Sequence, residues 1–222
     1  MTGDGDDVLG ADNGAGVALL AHMIEAEVPG LYVFHPDEEQ GCRGSEKFVA
    51  QTLRHLALSP KRCIAFDRSG TSDAVVRIGG RRLCTDSFVE KLIHQLDLNL
   101  IPTAEGRATD VLNYAECVPE CVNLSSGYYA EHTTRETLDL EFWESLATAV
   151  LAVDWEKLPT VRHPGGETFT VKSVERWTKQ PTAKELYQFI KAAPYAAAEI
   201  LAAKATSFEE MTDYADQEAM PF

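Results

Sequence analysis

Apolar residues recur along this chain with two periods, and the switches between them predict its elements. Residues 13–28, "NGAGVALLAHMIEAEV", place Val17, Leu20, Ala21 and Ile24 at helical spacing, and Pro29-Gly30 ends that helix. "LYVFH" (31–35) predicts a short buried strand, and the polar "PDEEQGCRGS" predicts a loop. "SEKFVAQTLRHLAL" (45–58) returns to helical spacing with Ser45 as a plausible cap, and "CIAFD" (63–67) is a strand ending in a carboxylate. Helix, strand, helix and strand in this order point to an α/β protein with a parallel sheet.

Downstream, "AVVRI" (74–78) predicts a strand and Gly79-Gly80 a turn. Residues 85–97 form an amphipathic helix capped by Thr85 or Asp86. "NLIPT" (99–103) and "CVNLSSGYY" (121–129) read as strands, and 138–155 as a long helix with an apolar stripe. After Trp155 the periodicity fades. Residues 156–182, Pro/Gly-punctuated and polar, predict a linker or mobile segment between a folded unit (1–155) and a C-terminal segment (183–222). That last segment reads as a helix over 183–205, kinked at Pro194, and an acidic tail. No internal repeat is visible.

Composition narrows the function classes. The chain has 222 residues, 45% of them hydrophobic, which suits one substantial domain with a sizeable core. A net charge of −15 argues against nucleic acid or an anionic membrane as partner, because a polyanion is repelled. No apolar run reaches membrane-spanning length, and the acidic start "MTGDGDD" does not look like a signal peptide, so the expected compartment is the cytoplasm. The cysteines (Cys42, Cys63, Cys84, Cys117 and Cys121) are odd in number and scattered, as reduced packing thiols are.

The candidate chemistry lies in carboxylates at strand ends. Asp12 stands in "DVLGADNGAG", Glu38-Glu39 follow "LYVFH", Asp67 ends "CIAFD", and His132 follows "LSSGYYAE". The carboxyl ends of parallel strands share one sheet edge, so these loops can converge. Converging carboxylates repel unless a cation neutralises them, and oxygen and nitrogen donors without thiolate suit zinc, manganese or cobalt. Each residue also has a plainer reading: Asp12 caps the helix, "DEE" is solvated surface, and His132 is structural.

The order "LGADNGAG", "PDEEQGCRGS", "AFDRSGTSD" and "GYYAEHTTRE" resembles the zinc-dependent exopeptidases with paired co-catalytic metals, the clan MH metallopeptidases that include zinc aminopeptidases and tripeptidase T. The resemblance runs from about residue 6 to 155. It implies a three-layer α/β fold, with a mixed, mostly parallel sheet and helices on both faces. The strand, helix and strand between Asp67 and His132 leave no room for an inserted lid domain. Asp12 resembles the carboxylate that bridges two metals, Glu38 the general base, Glu39 and His132 ligands of one metal, and Asp67 a ligand of the other. Asp110 in "GRATDVLNY" resembles a residue near the substrate pocket. The implied cofactor is zinc, two ions per chain, with manganese or cobalt as alternatives. The implied substrate is a small peptide or acyl-amino acid, hydrolysed at an amide bond, and a cis peptide is implied between Asp12 and Asn13.

One ligand of the family pattern has no counterpart. A histidine in a His-x-Asp strand precedes the bridging carboxylate in that family, whereas "MTGDGDDVLGA" holds none, and neither His22 nor His35 is spaced to replace it. The expectation is therefore that functional translation begins upstream of Met1, that the chain holds one tight and one weak metal, or that it is a degenerate member binding a peptide or partner without cleaving it.

Overall fold

The computed structural model describes residues 8–53 and 60–164. The end of the helix expected over 45–58 lies outside the described residues. So do most of the expected linker, the helix over 183–205 with its Pro194 kink, and the acidic tail.

The elements in chain order are α1 (Ala11–Glu25), α2 (Arg43–Gln51), β1 (Arg62–Arg68), β2 (Asp73–Val75), β3 (Arg77–Ile78), β4 (Arg81–Arg82) and α3 (Asp86–Leu96). β5 (Ile101–Thr103), α4 (Val111–Tyr114), β6 (Glu120–Ser125), β7 (Tyr128–Tyr129), β8 (Thr137–Leu138) and α5 (Leu140–Ala152) follow, and a 3-10 turn over Trp155–Lys157 comes after them. The main sheet has the order β1-β6-β2-β5. β1 is parallel to β6 and β2 to β5, while β2 and β6 are antiparallel. Among the described residues this is a mixed, mostly parallel α/β sheet with no closed barrel.

Strand periodicity divides the core in two. Ile64 and Phe66 of β1 and Val122 and Leu124 of β6 join a cluster that holds Leu19 of α1, Phe88 and Leu92 of α3, and Leu146 of α5. The alternate residues Cys63, Ala65 and Cys121 join a second cluster with Val49 of α2 and Val111 of α4. All six residues of β6 are buried, as befits a strand with a neighbour on each side. Thr85 caps α3 by accepting the Phe88 N–H, and Asp139 caps α5 by accepting the Phe142 N–H at 3.0 Å. All five cysteines are free. No helix among the described residues is long and apolar enough to cross a membrane.

Five local expectations differ from the structure. Residues 31–35 form no strand, since none of the sheets among the described residues takes them in and β propensity does not act without a partner. α1 buries Ala15, Gly16, Leu19 and Met23, and leaves Val17 and Ile24 of the expected face 50% and 45% exposed. Small residues win the contact with β1 because the backbones approach closely: a Cβ on Gly16 would meet the Phe66 carbonyl at 2.2 Å. The strand expected over 74–78 divides at Val76, whose N–H reaches the Thr103 carbonyl while β3 leaves to pair with β4 through the Gly79-Gly80 turn. Gly127, at φ 90, separates β6 from β7 within the run expected as one strand. Ser45 is no cap; it lies inside α2, fully buried, with its hydroxyl 2.6 Å from Asp110.

Candidate metal centre

Three chain segments bring the strongest donors together. Asp12 occupies the first turn of α1 in a non-helical conformation, and its peptide bond to Asn13 is cis. Glu39 sits on the polar loop before α2, and His132 on the loop after β7 in a left-handed conformation, at φ 62. One ligand atom from each lies within 4.8 Å of the others. Nε2 of His132 is 2.7 Å from a Glu39 oxygen and 2.9 Å from an Asp12 oxygen.

The electrostatics follow from crowding of like charge. Burial, then the charge of Glu39, pushes the Asp12 carboxyl up. The hydrogen bond to Glu39, then its charge, raises the His132 imidazole. Asp67 is pushed up to about 7, first by burial and then by Glu38, Asp12 and Asp110, although the Thr109 hydroxyl donating at 2.8 Å opposes the shift. Burial and the charge of Glu39 likewise raise Glu38, which accepts a long 3.7 Å contact from the Cys42 thiol. The thiol itself is held at about 12, chiefly by burial, so it stays protonated at neutral pH.

Asp67 belongs to β1, where the register with β6 shifts between Ala65 and Arg68. The Asn123 side chain bridges that irregularity, accepting the Asp67 N–H at 2.9 Å and donating to its carbonyl at 2.8 Å. Asp110 faces α2, where Ser45 donates to it and receives the Asn113 amide at 2.8 Å. Asp12, Glu38, Glu39, Asp67 and Asp110 all line one cavity of about 790 Å³. His35 lines it too, with Nε2 2.7 Å from the Tyr114 hydroxyl.

The residue that the sequence pattern does not reveal is Glu136. Its side chain is 1% exposed and accepts the Gly10 N–H at 2.6 Å and the Asp12 N–H at 2.8 Å. It thus fixes the backbone from which Asp12 projects. The available signal was a carboxylate in "EHTTRETLDL", four positions after His132 and next to a strand, where a buried acid must find donors.

The donor set fits a divalent ion. Two carboxylates and an imidazole nitrogen converge, the two acids repel each other, and no thiolate takes part, which suits zinc, manganese or cobalt. Asp12, Glu39 and His132 would hold one ion. Among the described residues no histidine joins Asp67, one of whose oxygens already accepts the Thr109 hydroxyl.

No protein-family model and no curated protein matches the chain. Among solved structures, that of PhTET1-12s, a TET peptidase described as a dodecamer in the asymmetric unit, matches with a TM-score of 0.50 at 18% identity. The likeness is one of fold. It covers 68% of this chain and 53% of that one, so the chain spans about half the length of the structure it matches.

Proposed function

We propose that this chain is a metal-dependent hydrolase that cleaves an amide bond of a peptide or acyl-amino acid, aminopeptidase-like in its chemistry. The observation that carries the reading is the meeting of Asp12, Glu39 and His132 within 4.8 Å, beside Glu38 in the lining of a 790 Å³ cavity. The fold likeness to a TET peptidase is consistent with it, as is a three-layer arrangement with helices on both faces of the sheet.

A divalent ion in that cluster supplies a lowered pKa for water and polarisation of a carbonyl. The protein does the rest. Glu38 ligates nothing in the proposed scheme, so it is free to take a proton from the attacking water and return it to the leaving amine. Its raised pKa suits both halves of that task, since the group must hold the proton between steps. Glu136 fixes Asp12, and Asn123 fixes Asp67.

The test pairs two variants. His132→Ala removes a ligand and is expected to abolish stoichiometric divalent metal, measured by elemental analysis of the purified protein. Glu38→Gln keeps every ligand, so metal content stays near the parent's while peptide hydrolysis falls by at least about a hundredfold. Equal, sub-stoichiometric metal in parent and His132→Ala would end the reading. Stoichiometric metal without hydrolysis by the parent would favour the non-catalytic alternative, for which the lack of a histidine beside Asp67 among the described residues speaks.

A further inference from the structure

Two of the five cysteines stand side by side in the main sheet. Cys63 of β1 and Cys121 of β6 are register partners on parallel strands, and both join the core cluster that holds Val49 and Val111. Burial, then a hydrogen bond with the Cys63 thiol, holds the Cys121 thiol well above its ordinary range. The other three thiols have different surroundings. Cys42 contacts Glu38, Cys117 donates to the Tyr114 carbonyl at 3.6 Å, and Cys84 belongs to the other core cluster.

The spacing permits a covalent bond. Neighbouring strands lie about 4.8 Å apart, and the Cα atoms of bonded cysteines lie about 4.4–6.8 Å apart. The two sulfurs differ in access. Cys63 is half-buried and lines the cavity, whereas Cys121 is fully buried, so a small oxidant reaches Cys63 first. Their strands also shoulder the metal centre. β1 meets α1, the helix that carries Asp12, so closely that a Cβ on Gly16 would collide with the Phe66 carbonyl. β6 leads into β7 and the loop of His132. Bonded cysteines hold their Cβ atoms about 3.8 Å apart, so a bond at this rung draws β1 towards β6 and shifts α1 with it.

We propose that Cys63 and Cys121 are a peroxide-sensitive pair whose disulfide weakens divalent-ion binding at the centre. The Cys63 thiolate attacks one oxygen of the peroxide and the O–O bond breaks. The other oxygen leaves as water with the thiol's proton, and Cys63 becomes a sulfenic acid. The Cys121 sulfur then bonds to the Cys63 sulfur, while its own proton and the sulfenic hydroxyl leave together as a second water. The two sulfurs give up two electrons, and the peroxide takes them. The consequence rests on the proposed metal centre; the bond itself does not.

The experiment uses the whole chain, reduced and then freed of metal and reductant. Hydrogen peroxide is added, the remaining thiols are alkylated, and linked peptides are mapped by mass spectrometry. A Cys63–Cys121 link is expected, reversed by a phosphine reductant, with Cys42, Cys84 and Cys117 recovered as thiols. In Cys121→Ala, dimedone is expected to trap Cys63; in Cys63→Ala, Cys121 is expected to stay a thiol. Zinc titration is expected to show about tenfold weaker binding by the oxidised chain, restored on reduction. Peroxide-treated Cys63→Ala is expected to bind zinc as the reduced parent does, which separates the bond from general oxidative damage. No link in the parent, or a link through another cysteine, overturns the proposal whether or not the variants fold. A link that leaves zinc affinity unchanged overturns it too. A link in a chain that takes up no zinc in either form sinks the metal centre and leaves the pair standing as the oxidisable site.

Discussion

At the scale of single residues, buried carboxylates decide the site's shape. Glu136 accepts two backbone N–H groups from the turn that carries Asp12. Glu136→Gln keeps the volume but turns one acceptor into a donor facing an N–H, at a cost of about 1–3 kcal/mol. Urea denaturation is expected to show that loss, and metal titration a drop in affinity of about tenfold or more as Asp12 loses its brace. Unchanged affinity would reduce Glu136 to a packing role. Asp67 gives a pH signature. Its folded pKa of about 7 lies above the ordinary aspartate value of 3.8, so the native state binds the proton more tightly than the unfolded chain. Its contribution is therefore fully present below about pH 4 and is lost as pH rises through about 7. Metal-free protein is expected to melt at least about 4 °C lower at pH 7.5 than at pH 5, and Asp67→Asn to flatten that slope. A slope unchanged by the substitution would assign it to other groups.

At the scale of elements, closeness rather than hydrophobicity sets how α1 meets β1. A Cβ on Gly16 would sit 2.2 Å from the Phe66 carbonyl and 2.4 Å from the Asn13 side chain, which itself accepts the Gly16 N–H at 3.0 Å. Gly16→Ala must push the helix off the strand, a cost of about 1–3 kcal/mol by overpacking. At Gly14 in the same helix an added Cβ would meet nothing within 4 Å, so Gly14→Ala is expected to be neutral or mildly stabilising. Thermal melts of the pair check the account; equal effects would refute it. The same closeness explains why periodicity chose the wrong face. Val17, Leu20, Ala21 and Ile24 share one face at helical spacing, yet the helix turns Ala15, Gly16, Leu19 and Met23 inward and leaves Val17 toward the cavity.

At the scale of the molecule, a second buried acid closes the folded unit. Glu120, fully buried on β6, accepts the Thr85 N–H and hydroxyl from one direction and the N–H groups of Val161 and Arg162 from the other. Arg162 in turn donates to the carbonyls of Ala115, Pro119 and Val118. The chain after the 3-10 turn is thus sewn to the sheet before it reaches Pro164. Glu120→Gln leaves donors without a charged acceptor and is expected to cost about 1–3 kcal/mol, with faster hydrogen exchange at Val161 and Arg162 than at α3. Uniform exchange across the unit would show that this segment has no separate opening.

By itself the sequence determined the elements whose signals are local. The cap of α3, left between Thr85 and Asp86 and made by Thr85, the Gly79-Gly80 turn, and the stripe of α3 depend on residues a few positions apart, and these stand in the fold. It also named Asp12, Glu39 and His132, because motif order survives when distance in space is unknown. Only the tertiary structure decided which of those groups meet, and which buried acids hold them. Glu136 and Glu120 take their meaning from N–H groups far away in sequence, which no spacing along the chain reveals. Strand pairing is equally non-local: "LYVFH" has the composition of a strand, but a strand exists only where a neighbour accepts its hydrogen bonds. Beside β1 no strand among the described residues takes that place and a cavity lies there, which no pattern of residues could have said.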